Sequence, residues 1–107
     1  SHAYSSIIHE KQVHDFANYR MCRMGKWYFD GEGKVNFSTT QAYKNIDLHH
    51  KAIHSYVQEN MKFIDNGSAM NLENRDSIVH NFTKMEHESQ VLFELMDTMV
   101  LEKSGRV

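Results

Sequence analysis

Not one of the 107 residues is proline. Proline ends helices most reliably, because it lacks the N–H and its ring clashes with the preceding turn. A chain without it is free to run long helices, and here the apolar residues recur at helical spacing. In the C-terminal third, Ile78, Phe82, Met85, Ser89, Leu92, Met96 and Met99 follow one another in steps of four and three, and Val79, Phe93 and Val100 widen the stripe. The pattern predicts a long helix burying one face in a bundle. Asn71, or Asn74 with Ser77 close behind, is expected to cap its start. A second stripe runs Ile46, His50, Ile53, Val57, Met61 and Ile64 and stops at Asn66-Gly67, two residues that tolerate the positive φ of a helix end.

A third element opens the chain with Tyr4, Ile7 and Ile8 and blurs after His9. It has no capping residue and barely two turns of apolar pattern, as expected of a helix cut short at its N-terminal end. Between Cys22 and Thr40, Gly25, Gly31 and Gly33 alternate with Trp27, Tyr28, Phe29 and Phe37. That stretch predicts a short helical turn, then a loop folded over the bundle end. The fold class is therefore all-α and four-helix-bundle-like, with the first helix truncated, and residues 1–107 form one domain.

Charge and composition exclude several functions. A net charge of −2 implies no basic face for nucleic acid. No apolar run approaches the roughly 18 residues of a membrane span, and no leader is expected. A single cysteine forms no internal disulfide and fits a reducing, cytoplasmic setting.

The candidate chemistry lies in the cysteine and the histidines. Cys22 opens the stretch CRMGKWYFDGEGK, beside a glycine and the only tryptophan. On its own it reads most simply as a small core residue. His50 and His54, four residues apart, project from one helix face one turn apart. With eight histidines in the chain, chance supplies roughly half such a pair, so spacing alone is weak evidence. Their position on the stripe of Ile46, Ile53 and Val57 turns both inward. There the nitrogens need partners, and two protonated rings would repel. A metal ion answers both demands; hydrogen bonds to backbone or carboxylates at a bundle end are the competing reading. Cys22 with the two histidines would make a mixed N/S set that favours tetrahedral zinc over calcium or magnesium.

The stretch Cys22-Arg-Met-Gly25-Lys26-Trp27-Tyr28, followed by His50-Lys-Ala-Ile-His54, closely resembles the chemoreceptor zinc-binding (CZB) domain, and the resemblance runs from about Tyr4 to the end of the chain. That family is marked by Cys-x-[Leu/Phe/Met]-Gly-x-Trp-[Tyr/Leu] and a later His-x-x-x-His. The resemblance implies a four-helix bundle in which one cysteine and three histidines hold zinc. It implies a fragment of a bacterial cytoplasmic signalling protein, such as a soluble chemotaxis receptor or a zinc-regulated diguanylate cyclase. Cys22, His50 and His54 map onto three ligands, while Gly25 and Trp27 map onto positions that shape the cysteine turn. The fourth ligand, a histidine of the first helix, falls upstream of Ser1. His2 is a poor substitute, roughly 9 Å too far along a helix. His9 and His14 are expected at the surface.

The other histidines, His49, His80 and His87, fit solvated helix faces. Met24, Met61, Met85, Met96 and Met99 read as core packing, and Asp30 and Glu32 as turn residues. The resemblance implies a sensory or regulatory domain that responds to zinc, to oxidants such as hypochlorous acid acting on a zinc-bound Cys22, or to both. Its expected partners are a zinc ion, a neighbouring signalling domain and a second copy in a homodimer. The alternative is a helical interaction or dimerisation module whose metal site is structural or empty. A zinc hydrolase is disfavoured, because no glutamate stands between His50 and His54 as general base, and no enzymatic activity is expected.

Overall fold

The computed structural model describes residues 18–105. Within them the chain is all helical: α1 (Arg23–Phe29), α2 (Glu32–Phe37), α3 (Gln41–Asp65), a 3₁₀ turn (Leu72–Asn74) and α4 (Arg75–Lys103). The all-α, bundle-like class is the one expected. The opening element at Tyr4, Ile7 and Ile8, with His2, His9 and His14, lies outside the described residues.

The two long helices form an antiparallel hairpin, and each end of it has an identifiable local cause. Thr40 caps α3, its Oγ1 accepting from the Tyr43 N–H at 3.2 Å. Glu102, at the far end of α4, reaches back and accepts from the N–H groups of Gln41 and Ala42, each at 3.0 Å. Three of the first-turn donors that a helix leaves without intrahelical partners are thereby satisfied. The anionic carboxylate also sits where the helix dipole favours it. The stop at Asn66-Gly67 is as expected, but Gly67 alone takes positive φ, at 75°; Asn66 stays at −89°.

Three details differ from the sequence reading. Neither Asn71 nor Asn74 caps a helix through its side chain. Asn74 instead donates to the Ser68 carbonyl at 3.1 Å, tying the turn together. The segment expected to be a loop after Phe29 contains a second short helix, α2. Gly31 breaks the helix in an extended conformation, and Glu32 restarts it, accepting from Asn36 Nδ2 at 2.9 Å. Finally, Leu92 and Met99 are buried on α4, whereas Val79, Phe82, Phe93 and Val100 remain exposed. Apolar periodicity marks the side of a helix that faces neighbours, but burial depends on how far those neighbours extend.

The core is small and aromatic. Tyr28, Ala42, Tyr43, Ile46, Leu92 and Met99 are buried together, with Met24, Trp27, Phe29, Phe37, Leu95 and Met96 packed against them. Tyr28 and Tyr43 stack at 4.1 Å between ring centroids. The Tyr28 hydroxyl donates to the Tyr43 carbonyl at 2.8 Å, and the Tyr43 hydroxyl donates to the Tyr28 carbonyl. Trp27 lies over Gly33, where a Cβ would fall 2.7 Å from the indole ring. That contact closes α2 against α1. Further along the hairpin, the buried Asn81 donates to Asn60 Oδ1 at 2.8 Å, and Asn60 donates to the Ile78 carbonyl at 3.3 Å.

Ile46 is completely buried at the centre of this core. Replacing it with alanine removes buried methyl groups and leaves a cavity, so Ile46→Ala is expected to destabilise the protein by about 2–5 kcal/mol in denaturant unfolding.

Candidate metal centre

Cys22 is the N-cap of α1, in extended conformation, and its Sγ accepts from the Gly25 N–H at 3.3 Å. It has the local geometry of a serine or aspartate cap, with sulfur in place of oxygen. The chain before it turns tightly, with the Met21 and Cys22 N–H groups both donating to the Asn18 carbonyl, at 3.0 and 3.2 Å. Gly25 is required for that approach: a Cβ there would fall 2.0 Å from the Tyr19 carbonyl oxygen.

From the other side, α3 presents His50 and His54, both at most 5% exposed. Their rings meet edge to face at 4.8 Å, as side chains four residues apart on a helix must. Tyr19 packs against both, with ring centroids 5.6 Å from His50 and 6.3 Å from His54. His50 Nε2 lies 3.2 Å from Cys22 Sγ across the junction of the two helices. Cys22, His50 and His54 each offer one ligand atom, and these atoms all lie within 4.8 Å of one another.

The fit to a metal can be judged from these distances. A tetrahedral zinc centre, with Zn–S about 2.3 Å and Zn–N about 2.0 Å, places sulfur and nitrogen about 3.5 Å apart. The Cys22–His50 separation is within a few tenths of that, and side-chain adjustments of about 1 Å would bring the third atom in. A thiolate and two imidazoles suit zinc in chemistry as well as geometry. Cys22 is half-buried, so the sulfur remains within reach of small molecules.

The electrostatics of the pocket favour a neutral His50. Burial pushes His50 from the usual imidazole value of 6.5 down to about 4, helped by neighbouring His54 and opposed by Asp47. At neutral pH its lone pair is available to a metal. Burial, with Tyr43 and Asp47 adding to it, likewise pushes Tyr28 up to about 12. Its hydroxyl therefore stays protonated as a hydrogen-bond donor.

Residues 1–61 match the chemoreceptor zinc-binding domain, a family designated CZB. The chain belongs to the CZB family. The match ends within α3, so α4 lies beyond it; the resemblance was expected to continue to the end of the chain. No curated protein and no solved structure matches the chain. For a CZB domain, a cysteine and two histidines converging on one point make a site compatible with zinc.

The remaining expectations fare unevenly. Gly25 lies against the Tyr19 carbonyl in the turn before Cys22, whereas Trp27 packs on Gly33 and Phe37 of α2. His80 and His87 are exposed. His49 is not on a solvated face: it is half-buried, with Nδ1 2.5 Å from Glu88 Oε2 of α4. The α3–α4 hairpin supplies a carboxylate that the sequence of α3 alone does not reveal. Tyr19 and Asp47 belong to neither the cysteine motif nor the histidine pair. Helical spacing gives a signal for Asp47, three residues before His50, but nothing local marks Tyr19.

Two outcomes follow from this geometry. Gly25→Ala forces its Cβ into the Tyr19 carbonyl, so it should destabilise the fold by about 1–3 kcal/mol. It should also weaken zinc binding measured by chelator competition. The second concerns pH. Unfolded His50 takes up its proton near 6.5 and folded His50 only near 4, so the unfolded state binds more protons between those values. The metal-free protein should hold its stability above about pH 6.5 and lose it as pH falls towards 4. Thermal melts across that window should show a declining Tm, with a shallower decline in His50→Gln.

Proposed function

We propose that this CZB domain is a zinc-binding sensory module of a cytoplasmic bacterial signalling protein, reading zinc, oxidants or both through Cys22. The observation that carries the proposal is the meeting of Cys22 with a histidine pair 28 residues later in the chain. In this reading Cys22, His50 and His54 are the zinc ligands within the described residues, and residues 1–107 are one regulatory domain acting on a neighbouring signalling domain.

Bound zinc supplies the charge that keeps the cysteine a thiolate, and a thiolate is the nucleophilic form. A small neutral oxidant can reach the half-buried sulfur. With hypochlorous acid, the sulfur electron pair displaces chloride, so thiolate and HOCl become sulfenic acid and chloride ion. The sulfenic acid is a poorer ligand, and Cys22 is released from the histidines. Cys22 is also the cap of α1, so its release loosens the first turn of that helix. The same helix carries Tyr28, whose ring is stacked on Tyr43 of α3. A change at the sulfur thus reaches the long hairpin through one rigid element, a local chemical event with a wider readout.

No catalytic step is assigned. The residue pair between which a zinc peptidase would carry its glutamate brackets Lys51, Ala52 and Ile53 instead. No helix of the described residues is long and apolar enough to cross a membrane. A second reading, a helical interaction or homodimerisation module around a structural metal, is favoured by the exposed apolar residues Val79, Phe82, Phe93 and Val100 of α4.

Elemental analysis of the purified protein should return about one zinc per chain. Hypochlorous acid should release that zinc to a chromogenic indicator. Cys22→Ser should weaken zinc binding and abolish the oxidant-triggered release. Equal zinc affinity and equal response in Cys22→Ser would rule out the sensor mechanism. Loss of dimerisation on chelation, without any oxidant response, would favour the interaction module.

A further inference from the structure

Zinc carries two positive charges and one thiolate neutralises only one of them. Cys22, His50 and His54 would therefore close around a net positive centre, with both imidazoles buried. An uncompensated charge is costly where water is excluded. Carboxylates that bond to the ligating histidines are the usual remedy, because they both balance the ion and orient the rings that hold it.

Asp47 is placed for this role. It lies three residues before His50 in α3, so the two side chains share a helix face. Its Oδ1 is buried and has no hydrogen-bond partner, whereas buried polar atoms are ordinarily bonded. The nearby tyrosines do not satisfy it: the hydroxyls of Tyr28 and Tyr43 are each donated to the other residue's carbonyl oxygen. Of the carboxylates among the described residues, Asp47 is the one whose negative charge acts on His50. It is not one of the three converging ligand atoms.

Resting on the zinc reading above, we propose that Asp47 is the positioning carboxylate of the metal centre, balancing the charge of the loaded site and holding His50 as a ligand. In the metal-free protein the same carboxylate is a burden, partly buried with an oxygen left unbonded. Its removal therefore affects the two states in opposite senses. A carboxylate that served only to hold the fold would weaken the metal-free protein when removed.

The test compares the unsubstituted protein with Asp47→Asn and Asp47→Glu. Zinc affinity is measured by competition with a chromogenic chelator, the metal-free Tm by thermal melting, and the site geometry by the visible spectrum of the cobalt(II)-loaded protein. Asp47→Asn should bind zinc about 10- to 100-fold more weakly, with a metal-free Tm equal to or above that of the parent and shifted cobalt bands. Asp47→Glu should restore most of the affinity. Zinc affinity in Asp47→Asn within about threefold of the parent would overturn the proposal. So would a fall in metal-free Tm and zinc affinity that Asp47→Glu fails to rescue. If the unsubstituted protein takes up no zinc, the zinc reading itself fails and this proposal with it. Equal uptake by parent and Asp47→Asn defeats the Asp47 assignment alone.

Discussion

The stacked pair of Tyr28 and Tyr43 is the contact on which the rest of the arrangement depends. Each ring lies on the other, and each hydroxyl closes on the other residue's carbonyl. The pair therefore fixes the spacing, the direction and the register of α1 against α3 at once. Cys22 lies six residues before Tyr28 and His50 seven after Tyr43. At 1.5 Å per residue these are about 9 and 10.5 Å of helix. Two antiparallel helices pinned at the tyrosines must then bring cysteine and histidine level with each other. The meeting of Cys22 and His50 is a consequence of packing a short distance away, not of any tendency of the two side chains to seek one another.

Two glycines make that packing possible by leaving space. Gly25 admits the Tyr19 carbonyl against the first turn of α1, and Gly33 admits the Trp27 ring against α2. The first contact lays Tyr19 over both histidines. An aromatic ring thus forms part of the pocket wall, and burial, helped by His54 and opposed by Asp47, keeps His50 neutral at ordinary pH. A neutral, preoriented imidazole is the form a metal needs.

The last helix has a different part. It lies beyond the residues that match the CZB family, and it contributes no ligand atom to the cluster. It supports the helix of His50 and His54 from outside: Glu102 caps the start of α3, Glu88 pairs with His49, and Asn81 bonds Asn60 in the buried seam. These polar contacts tie α4 to α3 at both ends and in the middle of the hairpin. Satisfied polar pairs of this kind help to specify one packing of the two helices.

The residue pattern by itself determined the helical class, the stop of α3 before Asn66-Gly67 and the inward turn of His50 and His54, because apolar spacing and a glycine stop are local to one helix. Cys22 stood out beside Gly25 and Trp27 within six residues, and it was the resemblance to the CZB domain that gave the motif its meaning. Only the tertiary structure decided that the glycine-rich stretch forms a second helix and that Phe82 and Phe93 stay exposed. Only it showed that His49 meets Glu88, 39 residues away, and that an oxygen of Asp47 is left without a partner. Periodicity records which side of a helix faces inward. Which atoms wait there depends on other segments, whose distance along the chain has no bearing on their distance in space.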